Sequence, residues 1–368
     1  MSSGGATLLG SFSGATETIS ETGFFYGTKP GDLGTKVLSG STSSSFSKVL
    51  SGLLNFTTYY YKAYVIEGGE YRYGDVRTFA TSAPSDWLEL PATTGDEDYV
   101  GTVFRSGTTR NYAFCYSYSR CAPLWTAYTL TEADVLDSPI RATWSYNEAI
   151  KPEYQVSVSS SSYPTNYSSS GFAISSDNLF ARGHQIPDAD RKNSTDKAQT
   201  YILSNQTPQI QNSFNGGIWS SLETAERQFV VTDSSNQSNY NSQFTTTDIL
   251  YVVTGPCYQK QGGNETVYEL TGKSQDVVPY KVPIPNYYWK VFLKVKKNGN
   301  QIQSACAIGF WLAHKEYKNG EKYTDSTFIK SVNQIEAWTG FNLFANLPDS
   351  IEETVEDNSS WDSFRTFE

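Results

Sequence analysis

The feature that most limits the folds open to this chain is a strand pattern repeated through its first 81 residues. The runs ETGFFYGT, SFSKVLSGL, TYYYKAYVI and YRYGDVRTFAT carry alternating or β-branched and aromatic positions, as strands with one buried face do. Gly, Ser and Asn turns separate them, and Gly68-Gly69 is a hairpin signal between the last two. No helical period interrupts this stretch. A sandwich of about seven strands fits its length.

The whole chain has 368 residues, which favours two domains over one core. SAPSDW, residues 82–87, is a Pro/Ser-rich break. The expected division is a β-domain over 1–82, a linker over 83–87 and a second domain over 88–368. In the second part, NYAFCYSYSRCAPLWTAYTL reads as a hairpin. ILYVVTGPCY, YYWKVFLKVKK and SACAIGFWLA read as buried strands. NGGIWSSLETAERQF is helical in pattern, with Ile218, Leu222 and Ala225 at i, i+4 and i+7. STFIKSVNQIEAWTG is a second helix, with Ser326 as candidate N-cap and Gly340 as stop. Residues 157–177 read as a polar loop and 351–368 as a frayed acidic tail. Strands with a few helices make this an α+β domain.

Aromatics reach 15% and apolar runs recur regularly, so the composition is not a disordered one. The tyrosines of the first domain read as strand packing rather than a ligand platform. A net charge of −10 argues against a uniformly basic nucleic-acid coat. It leaves room for a local basic groove or a metal supplying positive charge at one point. The cysteines are Cys115, Cys121, Cys257 and Cys306. Cys115 and Cys121 either bridge a hairpin or stay free and buried, and four cysteines allow three pairings. No CxxC pair or His/Cys cluster marks structural zinc, and no apolar run is long enough to span a membrane.

Only two histidines occur, His184 and His314. His314, at a strand end, reads as structural or surface. His184 alone is an ordinary polar residue, but Arg182 falls on the same face of an extended segment. A cation there keeps an imidazole neutral, as a general base requires. Gly183 between them permits close backbone approach by a substrate, and DADR, residues 188–191, reads as a solvated turn with local ion pairs. Asn215, at the start of the helical pattern, is either an N-cap or a neutral oxygen ligand for a hard cation such as Mg²⁺. Glu223 and Arg227 share a helix face, as an exposed ion pair or as a working pair. Spacing alone does not decide.

Two resemblances do. LLNFTTYYYKAYV followed by YGDVRTFAT resembles the end of a fibronectin type III-like domain, in which Tyr59 would be the tyrosine-corner residue after Leu53. Such modules are mostly spacers or adhesive domains. RGHQIP, LSNQTPQ, NGGIWSSLE and YVVTGPCY, in that order, resemble the sugar-non-specific DNA/RNA endonucleases, the Serratia nuclease-like ββα-metal family, over roughly residues 88–350. The resemblance implies a hydrolase that cleaves phosphodiester bonds of DNA and RNA to 5′-phosphate products. His184 then corresponds to the general base, Asn215 to the direct Mg²⁺ ligand and Glu223 to the residue that holds the metal through water. Arg182 and Arg227 correspond to arginines of the active-site cleft, Asn205 to an asparagine lining it, and Arg141 to an arginine facing the scissile phosphate. Mn²⁺ or another divalent cation would substitute for Mg²⁺. The family's leading acid is Ala181 here, beside the chemistry rather than in it.

The competing reading is a catalytically weak or inactive nuclease-fold surface binding protein or adhesin. Family and module type imply a secreted, periplasmic or cell-surface location, with the export signal removed. A homodimer is compatible with the sequence, and the partner of the first domain is unknown.

Overall fold

The computed structural model describes residues 4–105, 107, 109–135, 141–158, 168–169, 172–173, 180–260, 268–270 and 282–368. The chain divides into two compact units. One is Met1–Ser85 with the short stretches Tyr99–Thr102 and Asn147–Pro152; the other is the remainder.

The first unit has seven strands: β1 (Gly5–Ser11), β2 (Ile19–Gly27), β3 (Thr35–Leu38), β4 (Ser45–Ser51), β5 (Thr58–Glu67), β6 (Glu70–Tyr73) and β7 (Arg77–Ala80). β1 pairs with β4, and β3-β2-β5-β6 form a second sheet with β7 also on β5. Alternation decides which side chains go inside. Phe24, Tyr59 and Val65 join Leu8, Phe46 and Leu50 in the core, while the positions between them face the other way. Tyr59 stacks on Phe79 at 5.4 Å, and its hydroxyl accepts the Leu54 N–H at 2.9 Å. The tyrosines divide their work. Tyr59 and Tyr64 are buried packing residues, whereas Tyr71 and Tyr73 are 40% and 52% exposed.

The second unit is built on a seven-stranded sheet. Its strands are β8 (Tyr99–Phe104, of which only Val103 and Phe104 belong to this unit), β9 (Arg110–Ser117), β10 (Ala122–Leu130), β15 (Leu250–Cys257), β18 (Tyr287–Asn298), β19 (Gln301–Ala313) and β20 (Ile329–Lys330), in the order β20-β19-β18-β15-β10-β9-β8. β15 lies inside the sheet with all eight residues buried, which explains its unbroken apolar run. Short pairs also form between β11 (Ser168–Ser169) and β12 (Phe172–Ala173), and between β16 (Tyr268–Leu270) and β17 (Val282–Ile284). Apart from the first of these pairs, residues 159–179, read above as mostly loop, lie outside the described residues.

Apart from the large sheet, β13 (Phe180–His184) pairs antiparallel with β14 (Gln206–Ile210), setting Arg182 opposite Pro208 and His184 opposite Gln206. The short helix α1 (Ser194–Ala198) lies between them in sequence. After β14 the chain winds as a wide π-type helix over Gln211–Trp219, breaks at Gly217 (φ −116°, ψ −112°) and continues as α2 (Ser220–Gln228). The helix therefore begins earlier than the periodicity indicates, and Asn215 lies inside the first winding rather than at an N-cap. α2 is fastened to the sheet by an ion pair sealed from solvent, Lys290 Nζ to Glu226 Oε2 at 2.8 Å.

Two other expectations are corrected, and the cysteine alternatives are resolved. Residues 329–330 pair with β19, so α3 (Val332–Thr339) starts later and its N-cap is Ser331, not Ser326. Ser331 and Gln334 form a reciprocal capping box. Gly340 ends the helix in the left-handed region at φ 79°. The C-terminal residues are not frayed: α4 (Asp349–Val355) and α5 (Trp361–Arg365) form, Phe364 is fully buried, and Trp361 packs on Phe229 and Phe244. All four cysteines are free and buried, so Cys115 and Cys121 do not bridge their hairpin.

Candidate active site

The β13–β14–helix unit opens onto a cleft of about 670 Å³. Arg182 and His184 reach it from β13, Asn215 from the wide winding, Glu223 from α2 and Arg141 from the segment before Trp144. Five of the seven residues singled out from the sequence therefore line one cavity. A second cavity of about 580 Å³, between Thr131 and Asp248, contains none of them.

His184 sits between two aromatic rings. The Trp144 ring is 4.8 Å away and the Tyr201 ring 4.7 Å away, edge-on at 81°. Its Nε2 is buried without a hydrogen-bond partner. This packing pushes the imidazole's pKa from 6.5 down to about 4. The Asp188 carboxylate opposes the shift, and Arg141 and Lys197 add to it. The ring is consequently neutral across the physiological range and able to accept a proton. Burial is the larger cause, not the neighbouring cation emphasised above.

Arg182 donates from Nε to the Val158 carbonyl at 2.5 Å, with its guanidinium 5.8 Å from the Trp144 ring. Arg141 is exposed. Asp188 accepts a 2.7 Å hydrogen bond from the Tyr201 hydroxyl. Ala181 also lines the cleft. The acid expected at that position is thus a methyl group, and the carboxylates in the cavity are those of Asp188 and Glu223.

Neither the Asn215 amide nor the Glu223 carboxylate is hydrogen-bonded to any described residue, and both are partly exposed. Burial pushes the Glu223 carboxyl up to about 7, against the pull of Lys290 and Arg227 and with the help of Asp190 and Asp188. A carboxyl and an amide oxygen that line one cavity without hydrogen-bond partners suit a hard cation that keeps most of its waters. Among the described residues, no group of three or more His, Cys, Asp or Glu could cage a metal, so such an ion would rest on few protein ligands.

Asn205 and Arg227 are not brought into the cleft. Asn205 is fully buried: its amide donates to the Ile186 and Thr200 carbonyls and accepts the Ile186 N–H. It staples the chain just after His184. Arg227 donates to Asp190 at 3.0 Å, Asn239 at 2.9 Å and Thr224 at 3.1 Å. Every guanidinium nitrogen is engaged, which explains why DADR is not a solvated turn. Asp190 is fully buried, and Arg191 inserts between Asn111 and Thr129. Gly183 also has a different reason from the one inferred above. A Cβ there would collide with the buried side chain of Gln209 on the paired strand. Trp144 and Tyr201 escape the sequence reading, in which Asp188 figures only within the DADR turn; the one signal for Trp144 is an aromatic three residues after Arg141.

A neutral imidazole, two arginines and two side-chain oxygens without hydrogen-bond partners line the cleft, a set that can serve hydrolysis of an anionic ester. Comparison with known proteins narrows this. A family model for DNA/RNA non-specific endonucleases matches residues 99–350. A nuclease of Serratia marcescens is 28% identical over 284 residues, covering 75% of this chain and 89% of that protein. A mitochondrial nuclease 1 of Schizosaccharomyces pombe is 26% identical, covering 61% and 62%. A Nostoc nuclease is 24% identical, covering 67% and 75%. The chain belongs to the DNA/RNA non-specific endonuclease family and is a nuclease. The family is metal-dependent in general, and nucleic acids are its substrates. Its relatives include bacterial and mitochondrial proteins, and no described helix is long and apolar enough to cross a membrane.

Proposed function

We propose that this nuclease hydrolyses phosphodiester bonds of both DNA and RNA without regard to sugar, using His184 as general base and leaving 5′-phosphate ends. The observation that carries the reading is the packing of His184 between Trp144 and Tyr201, with an imidazole pKa near 4. A ring held neutral at working pH can take a proton from water as that water's oxygen attacks phosphorus. The bond from phosphorus to the 3′-oxygen breaks. The 5′-side oxygen stays with the phosphate, and the departing oxygen takes up a proton to become a 3′-hydroxyl. Arg141 and Arg182 offset the charge that builds on the phosphoryl oxygens.

Asn215 would hold Mg²⁺ directly and Glu223 through water; when bound, the cation, which Mn²⁺ could replace, stabilises charge on the phosphate and the leaving oxygen. Asn205 and Arg227 act at one remove, by fixing the backbone after His184 and the face of α2. Phosphate contacts by Arg141 and Arg182 carry no sequence information. For the first unit, the Tyr59–Leu54 bond supports a fibronectin type III-like assignment. A secreted or cell-surface location agrees with that assignment.

The test is digestion of plasmid DNA and RNA by wild type and His184→Ala, with divalent cation and with chelator, followed by end-group analysis. Wild type should cleave both substrates to 5′-phosphates only with the cation, and the variant should lose at least about a hundredfold in rate. Undiminished cleavage by His184→Ala, or 3′-phosphate products, would refute the mechanism.

A further inference from the structure

The aromatic wall that packs His184 is only partly buried by that packing. Trp144 is only partly buried, lines the cavity, and lies beside the base and one of the arginines, 4.8 Å from the His184 ring and 5.8 Å from the Arg182 guanidinium. Its position is set by backbone pairing. Ser145 donates to the Tyr201 carbonyl at 3.0 Å and accepts from Leu203 N–H at 2.9 Å. Tyr201 in turn supports the indole edge-on at 5.2 Å. Two residues on, Tyr146 is 56% exposed, a rare exposed large apolar side chain among the described residues of this unit. In this locally extended segment, positions 144 and 146 share a face.

We infer that Trp144 forms a nucleobase subsite next to the scissile phosphate, and that the face it shares with Tyr146 carries the strand onward. The inference rests on the nuclease reading of this cleft. A phosphate within reach of His184 and Arg182 brings its flanking nucleoside against the nearest wall. The flat apolar group on that nucleoside is the base, and the flat apolar group on the wall is the indole. Stacking is indifferent to base identity because every base has a π-face, so the subsite adds affinity without sequence preference. It also gives an acidic chain a means of holding nucleic acid besides net charge, since the formal charge is −10.

The probe is a fluorescent oligonucleotide with one cleavable phosphodiester between methylphosphonate linkages, carrying a normal or a tetrahydrofuran abasic nucleoside on either side. For wild type, the abasic nucleoside on one side should raise KM by roughly five- to a hundredfold. Trp144→Leu keeps an apolar side chain but removes the π-face. It should show a similarly raised KM on the intact probe and no further loss on the abasic one, beside any shift that the thinner packing of His184 makes in the pH profile of kcat. Trp144→Phe should recover most of the affinity. Anisotropy of the same probes in chelator should reproduce the affinity differences without turnover. An undiminished abasic penalty in Trp144→Leu, or a variant altered only in its pH profile, would overturn the subsite and leave Trp144 as packing for His184. If His184→Ala instead cleaves standard DNA as well as wild type, the reading of the cleft falls and the subsite with it.

Discussion

The His314 imidazole accepts the backbone N–H of Ile210 on Nε2 at 2.9 Å, and its Nδ1 lies 2.9 Å from the Pro285 carbonyl. A backbone N–H can only donate, so Nε2 is unprotonated and Nδ1 carries the proton given to Pro285. Ile210 ends β14, one residue before the winding that carries Asn215. The ring also packs edge-on against Phe180 at 5.8 Å and Phe214 at 5.0 Å. His314 thus holds the start of the histidine strand and the entry to the asparagine helix together.

Acid should unfold this protein partly through that ring. Burial pushes the His314 pKa from 6.5 down to about 3. Between those values the unfolded chain binds a proton that the folded chain refuses, so the stability contribution is complete above pH 6.5 and is lost as pH falls toward 3. The loss is on the order of 5 kcal/mol. Urea titrations across pH 4–6 should show a slope smaller by about one proton in His314→Gln than in wild type; equal slopes would contradict the tautomer assignment.

Arg227→Ala should act on stability before catalysis. It strands the buried Asp190 carboxylate, whose Oδ2 already lacks a partner, at a cost of about 3–5 kcal/mol. Adding Asp190→Asn should restore part of that loss, because the amide does not carry the uncompensated charge. Denaturant midpoints for the single and double variants measure the effect. A fully stable Arg227→Ala with reduced cleavage would place the guanidinium on substrate instead.

Gly183→Ala should destabilise by about 1–3 kcal/mol, since the added carbon collides with Gln209 and that side chain is buried and cannot swing clear. Gly183→Ala combined with Gln209→Ala should recover stability. Thermal denaturation of the pair decides whether Gln209 is the reason for the glycine.

The acid limb of kcat/KM should fall near pH 4, not 6.5, if His184 protonation sets it. Arg141→Ala should leave that limb nearly in place, because burial is the larger cause of the shift, while lowering kcat by about a hundredfold through lost charge stabilisation. A pH–rate profile of both proteins separates the two effects.

The sequence by itself determined what short-range pattern can carry. Period-two alternation marked the strands of the first unit, an unbroken apolar run marked β15, and the ordered RGH, Asn and Glu blocks marked the family and four of the five cleft residues, with Arg141 upstream of them. What it left open depended on contacts between residues distant in the chain. Ser331 replaced Ser326 as the cap because an edge strand on β19 claimed the residues between them. Arg227 and Asn205 look like cleft residues by motif, yet the guanidinium is engaged by Asp190, Asn239 and Thr224 and the amide by Ile186 and Thr200. Gly183 answers to Gln209 across a strand pair, and His314 to a backbone N–H over a hundred positions away. Local sequence encodes the period of burial; only the tertiary structure decides which buried polar group meets which, because the cost of leaving one unpaired is settled by neighbours the chain brings from elsewhere.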